Sequence, residues 1–462
     1  MSEIRSGAAS STPDDSRRPR RIRFWHVGVI LLLVPAATLV GLRWHWRGQL
    51  RRRIEKLATA GYPVTVEQLD AWYRPLESDQ ENMADVISAA ASHIALDLSD
   101  EERELVPFVG QGELPPPGKP LSAEMRAALT RLIDDHHKAL DYLQHKPLAP
   151  NCRYPLDWSD GLKGDLPRLS EARECVSLLC LAAVQAFDET DLERAIGSLV
   201  RALAIGRSIG EVPLTWIRHS SCRCRDRTVE VLEWGLSRHP LTDDQLAQVV
   251  EALGEDDCSD GIVRALAGMR CLVLPILEHP VDPYNEDLPP APVVDLYRAS
   301  GLAAREAVIY ADMIETYIQV AQLPLSQWQS AAKAADDRIR TRVGWCLQLY
   351  YLSREETGLS FHLVHSLVSR ARLDTARTAL AVERYRLAKG RLPEMLTDLV
   401  PQYLDSVPLD PFDGAAMRYQ TLATGFVVYS VGLNGWDDGG LGPASDRRGM
   451  GGNGDITFTV ER

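Results

Sequence analysis

The sequence predicts a mainly α protein: a single transmembrane helix, an irregular helical body, and a small C-terminal α+β domain closed by a three-stranded antiparallel sheet. Three observations predict it. Residues 24–42, FWHVGVILLLVPAATLVGL, contain no Asp, Glu, Lys or Arg. From about residue 50 to 375, apolar residues recur at helical spacing with no sustained alternation. Beyond about 370, strand-like runs appear among Pro, Asp and Gly turns. A chain of 462 residues has room for two or three domains.

The head comes first. Residues 1–22, rich in Ser, Pro, Asp and Arg, read as a disordered basic segment. The transmembrane helix is placed at 23–43, because 19 apolar residues rising ~1.5 Å each span ~28 Å, close to the hydrocarbon thickness of a bilayer. Trp25, Trp44 and Trp46 fall where interfacial aromatics belong. Five arginines (Arg17, Arg18, Arg20, Arg21 and Arg23) stand immediately before the run and six basic residues follow it, so charge alone gives no orientation. The run is long for a signal-peptide core, and no A-x-A site precedes the next arginines, which favours an uncleaved anchor. Residues 24–42 therefore take the lipid bilayer as their partner. Residues 1–56 hold 12 Lys and Arg against 4 Asp and Glu, leaving 39 against 60 for the rest. That acidic body excludes nucleic acid as a partner, since phosphate contacts supply most of such affinity. The basic head suits a membrane surface.

Residues 50–366 read as the all-α body. Thr65-x-x-Gln68, Thr190-x-x-Glu193 and Thr242-x-x-Gln245 each have the form of a capping box. Helices at about 169–187 and 191–208 are joined by a short acidic stretch and form an antiparallel hairpin, the second stopping at Gly210. The segment AAVQAFDETDLERAIGSLVRALAIG resembles one tetratricopeptide unit, but no 34-residue period follows it. Two proline-rich stretches, 112–120 and 279–293, are surface connections. The eight cysteines form no C-x-x-C pair or zinc spacing, and read as small buried side chains. Chemistry here is thin. His137 and Asp141 share a helix face beside His136, His362 and His365 stand three apart, and RHSSCRCRDR (218–227) gathers Arg, His, Ser and Cys. None forms a hydrolase, P-loop, dinucleotide or kinase motif.

The tail, 367–462, is the α+β domain. A helix through Leu373, Ala376, Leu380 and Tyr385 ends at Gly390, and Pro393 stops its return. A short helix at 394–400 follows. MRYQTLA and FVVYSVG flank Thr424-Gly425 as a hairpin, and DITFTV supplies the third strand.

Three blocks of this tail resemble the globular domain of the type II secretion major pseudopilin. AVERYRLAKGRLP is similar to that family's AL..Y....G.YP, VPLDPFDGAAMRY to LP.DPWG.PY.Y, and YSVGLNGWDDGG…GDI to SLG.DG..GG….DI. The resemblance covers 373–460, under a fifth of the chain. It implies a calcium ion in the last loop. The residues suit that ion: Asn434, Asp437, Asp438 and Asp455 offer side-chain oxygens, with the Leu433 carbonyl and the Ser430 hydroxyl as further ligands. Glycines let the backbone turn its carbonyls inward. Whether Asp437 or Asp438 is the ligand stays open, and the opposing reading is a flexible Gly-rich loop with solvated acids. Asn434 stands where the family has Asp, and the insertion LGPASDRRGMGGN brings Arg447 and Arg448 close. The chain also lacks a prepilin-peptidase site, so it is not expected to assemble as a pilus subunit. As a whole, with GYPVTVEQLDAWY after the anchor, it resembles a group of uncharacterised, membrane-anchored bacterial proteins.

The expected function is a non-catalytic envelope scaffold or interaction protein with a calcium-binding C-terminal module. It is expected in the bacterial inner membrane, single-pass, with an extracytoplasmic body and a protein partner. The alternative is a membrane-anchored enzyme of hydrolase type with its site in the body. A cleft joining His136 or His219 to a carboxylate and a Cys or Ser would favour that alternative. A third class is a regulatory protein with a cytoplasmic body and free thiols.

Overall fold

The computed structural model describes residues 24–462, apart from 74, 77–80, 117, 147–150, 159–166, 255–257, 279–290, 344–357 and 443–453. The basic head, most of the second proline-rich stretch, Cys346 and the Arg447–Arg448 pair lie outside the described residues.

Helix α1 (Phe24–Thr59) is the one described helix long and apolar enough to cross a membrane. Its apolar half is bare, with Leu31 and Leu32 68% and 74% exposed. The helix continues past the apolar run without interruption. Leu50 then buries in a core cluster shared with α13 (Leu302–Ala321), and Arg53 holds Asp312 at 2.5 and 3.1 Å. Helix α1 is therefore a continuous rod whose C-terminal half is docked on the body.

The described body is helical throughout. Near its start stand α2 (Val66–Trp72), α3 (Met83–Ala91), α4 (Asp100–Leu105), α5 (Ala123–Asp135) and α6 (His137–His145). The expected hairpin forms from α7 (Pro167–Asp188) and α8 (Leu192–Gly210). Its capping shifts by one residue: Thr190 takes a left-handed turn (φ 63°), and Asp191 accepts from the Arg194 amide instead. The box at Thr242 and Gln245 forms as expected at the head of α10 (Asp243–Leu253). At Thr65 the cap forms, but the Gln68 side chain accepts from Val64 instead.

Between them lies α9 (Thr215–Leu236), packed so closely on α8 that the Ser221 hydroxyl donates to the Gly206 carbonyl at 2.7 Å. Then follow α11 (Cys258–Glu278), α12 (Ala291–Ala299), α13 and α14 (Trp328–Val343). Helix α15 (Leu359–Lys389) ends at left-handed Gly390. The boundary expected at 366/367 falls inside α15, which starts a dozen residues before the helical pattern of the tail becomes obvious. In place of the short helix expected at 394–400 there is a single 3-10 turn, Leu396–Leu399.

The sheet is a meander of β1 (Arg418–Leu422), β2 (Gly425–Ser430) and β3 (Ile456–Glu461), all antiparallel. Alternation puts Phe426, Val428, Phe458 and Val460 on one fully buried face. They join Ala376 and Leu380 of α15 in a core that runs on to Phe187, Leu199 and Leu232 of α7–α9. Burying side chains of this size contributes ~1.5–3 kcal/mol each. A second cluster draws Phe412, Val431 and Ile456 toward α11, α13 and α14 around buried Trp328. The tail is thus fused to the body through both clusters.

Candidate functional site

Two polar constellations are built on this frame. The first is the loop between β2 and β3. Its anchor is Asp410, 1% exposed, in the DPFDG turn. The Asp410 carboxylate accepts from the amides of Phe412 and Val431, from the Ser430 hydroxyl and from Arg418, each at 2.9 Å. Arg418 also reaches Asp413 at 2.5 Å and Asp437 at 3.1 Å. This network joins the second and third sequence blocks into one unit.

Above the network the loop folds on itself. Asp455, fully buried, accepts from the amides of Asp438 (3.3 Å) and Gly440 (2.7 Å). Asn434 donates to Asp438 at 2.9 Å and accepts from the Trp436 amide. Gly440 takes a positive φ of 76°, where a Cβ would also press on Val427 and Tyr429. So Asn434, Asp438 and Asp455 come together, while Asp437 points to Arg418. Of the other two candidates, the Leu433 carbonyl accepts from Gln329 (2.9 Å), and Ser430 is bonded to Asp410. Burial, then the nearby Asp437 and Asp438 charges, push Asp455 above the usual carboxylate range, against its two amide bonds. The Gly439 amide, with Tyr429 and Arg418, holds Asp437 below it. The donors are hard oxygens, the class calcium takes. Among the described residues, no three His, Cys, Asp or Glu side chains stand in metal-binding geometry. A cation here would draw on Asp438, Asp455, Asn434 and loop carbonyls.

The second constellation is a cleft of about 710 Å³ between α9, α15, β3 and the loop after α4. It brings together two motifs that stand some 140 residues apart. His219 of α9 and His365 of α15 have ring centroids 4.1 Å apart, with Phe361 5.2 Å from His219. His362 lies 6.2 Å from His219, behind the pair. The Nδ1 atoms of all three histidines are buried without a partner. Burial, then the charges of His365 and Arg223, lowers His219 to about 4, with Asp226 acting against them. Burial does the same to His362 and His365. All three rings are neutral at neutral pH. Deeper along the wall, Asp226 is held by Ser369 (2.9 Å) and Arg372 (2.8 Å), and Arg227 reaches Ser177 (3.0 Å). Glu233 accepts from the Thr459 amide at 2.7 Å, closing part of the β3 edge.

The cleft thus joins His219 to a carboxylate, but no Ser or Cys is among the described residues lining it. The seven described cysteines are buried and form no disulfide. Burial pushes the thiols of Cys175 and Cys180 to about 12 and those of Cys224 and Cys271 to about 11, so they are poor nucleophiles. His136 is a structural joint: its Nδ1–H donates to the Leu132 carbonyl (2.8 Å) and Nε2 accepts from the Ala95 amide (3.1 Å). His137 sits on the exposed side, bonded to the Asp134 carbonyl. What sequence reasoning missed was the convergence of α9 and α15. The available signal was spacing: His219, Arg223 and Arg227 recur every four residues, which puts them on one face of α9.

Set against protein-family models, curated proteins and solved structures, the chain gives no match in any of the three comparisons.

Proposed function

We propose that the chain is a membrane-anchored, non-catalytic interaction protein of the bacterial envelope. A helical body, tetratricopeptide-like in its α7–α8 hairpin, carries a pseudopilin-like C-terminal module that binds calcium. The observation that carries this reading is the loop closed by Asp455, where Asn434 and Asp438 gather against a buried carboxylate whose proton affinity is raised by burial and, to a smaller extent, by the neighbouring Asp437 and Asp438 charges. A divalent cation relieves that repulsion. The order of long helix, hairpin, acidic loop and third strand supports the pseudopilin likeness. The long docking of α1 on α13 suits a scaffold held at a fixed distance from the bilayer.

Millimolar calcium outside the cytoplasm favours an outward body. The reduced cysteines point the other way, toward a cytoplasmic body, yet all seven described ones are buried, and the raised thiols of Cys175, Cys180, Cys224 and Cys271 resist oxidation, so the outward body is preferred. Membrane fractionation tests the anchor, and protease treatment of spheroplasts tests the orientation. The reading expects carbonate-resistant membrane association, lost on deletion of residues 1–42, and digestion of the body in intact spheroplasts. Soluble recovery of the full chain, or a body cut only after lysis, contradicts it.

A further inference from the structure

The wall of the cleft is a strip laid across two helices. His219, Arg223 and Arg227 follow at four-residue spacing on α9, so they share one face. His365 and Arg372, seven residues apart on α15, face them across the packed pair. Three guanidinium groups converge, and two are committed: Arg372 to Asp226, and Arg227 to Ser177. Among the described residues nothing accepts a hydrogen bond from Arg223. Arg223 is exposed on the cleft wall; partial desolvation and repulsion from Arg227 and Arg372 weaken its hold on its proton, Asp226 acts against them, and a bound anion would stabilise the guanidinium. His365, 6% exposed, lines the same cleft with its Nδ1 unpartnered. A buried polar atom of that kind calls for a partner.

We infer that this cleft binds a small organic carboxylate, its charge held by Arg223 beside the His219–His365 pair and its apolar part lying against Phe108, Phe361 and Val229. The guanidinium fork matches a carboxylate in two parallel hydrogen bonds. Asp226, Glu230 and Glu233 stand on the same wall, and Glu113, Asp455 and Glu461 on the others, so a phosphate dianion meets more repulsion than a monoanion. The volume lies within the range of small-molecule sites.

The test uses the full chain in detergent, titrated with benzoate, 3-phenylpropionate and octanoate by calorimetry and saturation-transfer NMR. At least one should bind saturably. Binding should weaken at least about tenfold in Arg223→Gln, and the uncharged benzamide should bind at least about tenfold more weakly than benzoate. Because Arg223 is exposed and makes no hydrogen bond to the described residues, the variant should keep the parent thermal unfolding curve. The inference is overturned by no saturable binding of any of the three acids, by equal binding to Arg223→Gln, or by phenyl phosphate binding more tightly than benzoate.

Discussion

The β2–β3 loop and the α9–α15 cleft are both polar, and they differ in how their polar groups are satisfied. In the loop nearly every carboxylate has a partner: Asp410 has four, Asp455 two amides, Asp437 an arginine. In the cleft, the Nδ1 atoms of His219 and His365 are buried with none, as is that of His362 behind them. The loop is a structure that holds itself and has oxygens to offer a cation. The cleft is held by the helices around it and leaves polar demand unmet. Satisfied networks give shape, and unsatisfied ones mark where something else is expected to bind.

The largest expected effect breaks the loop side of that contrast. Asp410→Ala removes one carboxylate and leaves the Val431 amide, the Ser430 hydroxyl and Arg418 without it. Thermal or urea unfolding should show a loss of about 3–5 kcal/mol. A loss below about 1 kcal/mol would mean that the turn and strand ends hold without the network.

On the cleft side, the histidines predict a pH dependence. Each is lowered from 6.5 to about 4 in the folded chain. Above pH 6.5 the rings are neutral folded or unfolded, and stability is fully present. As pH falls from 6.5 toward 4 the unfolded chain takes up protons first, so stability drops through that window. Melting temperatures at pH 7, 6 and 5 should decline, and less steeply in His365→Asn. An unchanged slope in that variant would remove the ring from the account.

A sharper contrast comes from the exposed acids of the loop. Asp437→Asn should cost no more than about 1 kcal/mol in the absence of calcium, because Arg418 keeps Asp410 and Asp413. The smallest effect belongs to a pair outside both regions. Arg384→Ala, which removes the surface contact with Asp243, should change stability by less than about 1 kcal/mol in the same unfolding assay. A larger loss would show that α10 depends on that pair for its position.

Much of the frame was legible because its signals are local. Helix α1 opens on one uninterrupted apolar run, the α7–α8 hairpin is two periodic stretches around an acidic turn, and the sheet is three strand-like runs with turn residues between them. The loop was legible for the same reason, since Asn434, Asp437 and Asp438 are near neighbours. The start of α15 was not, because residues 359–370 intersperse histidines, serines and an arginine among apolar residues, and the boundary expected at 366/367 cut through them. Nor was the role of Asp410: a Pro-Asp turn gives no hint that its carboxylate will reach a strand end twenty residues on. The cleft needed α9 and α15 to meet, and no single-chain pattern records which face of one helix packs on which face of another.

The central claim is that the loop closed by Asp455 takes calcium in the intact chain. The most direct measurement is a calcium titration of the full-length protein in detergent, followed by calorimetry and thermal unfolding, with Asp438→Asn beside it. The account predicts saturable binding at micromolar to millimolar calcium, a rise in melting temperature, and affinity weakened about tenfold in the variant. No heat and no thermal shift with calcium in excess would contradict it. So would equal binding by Asp438→Asn.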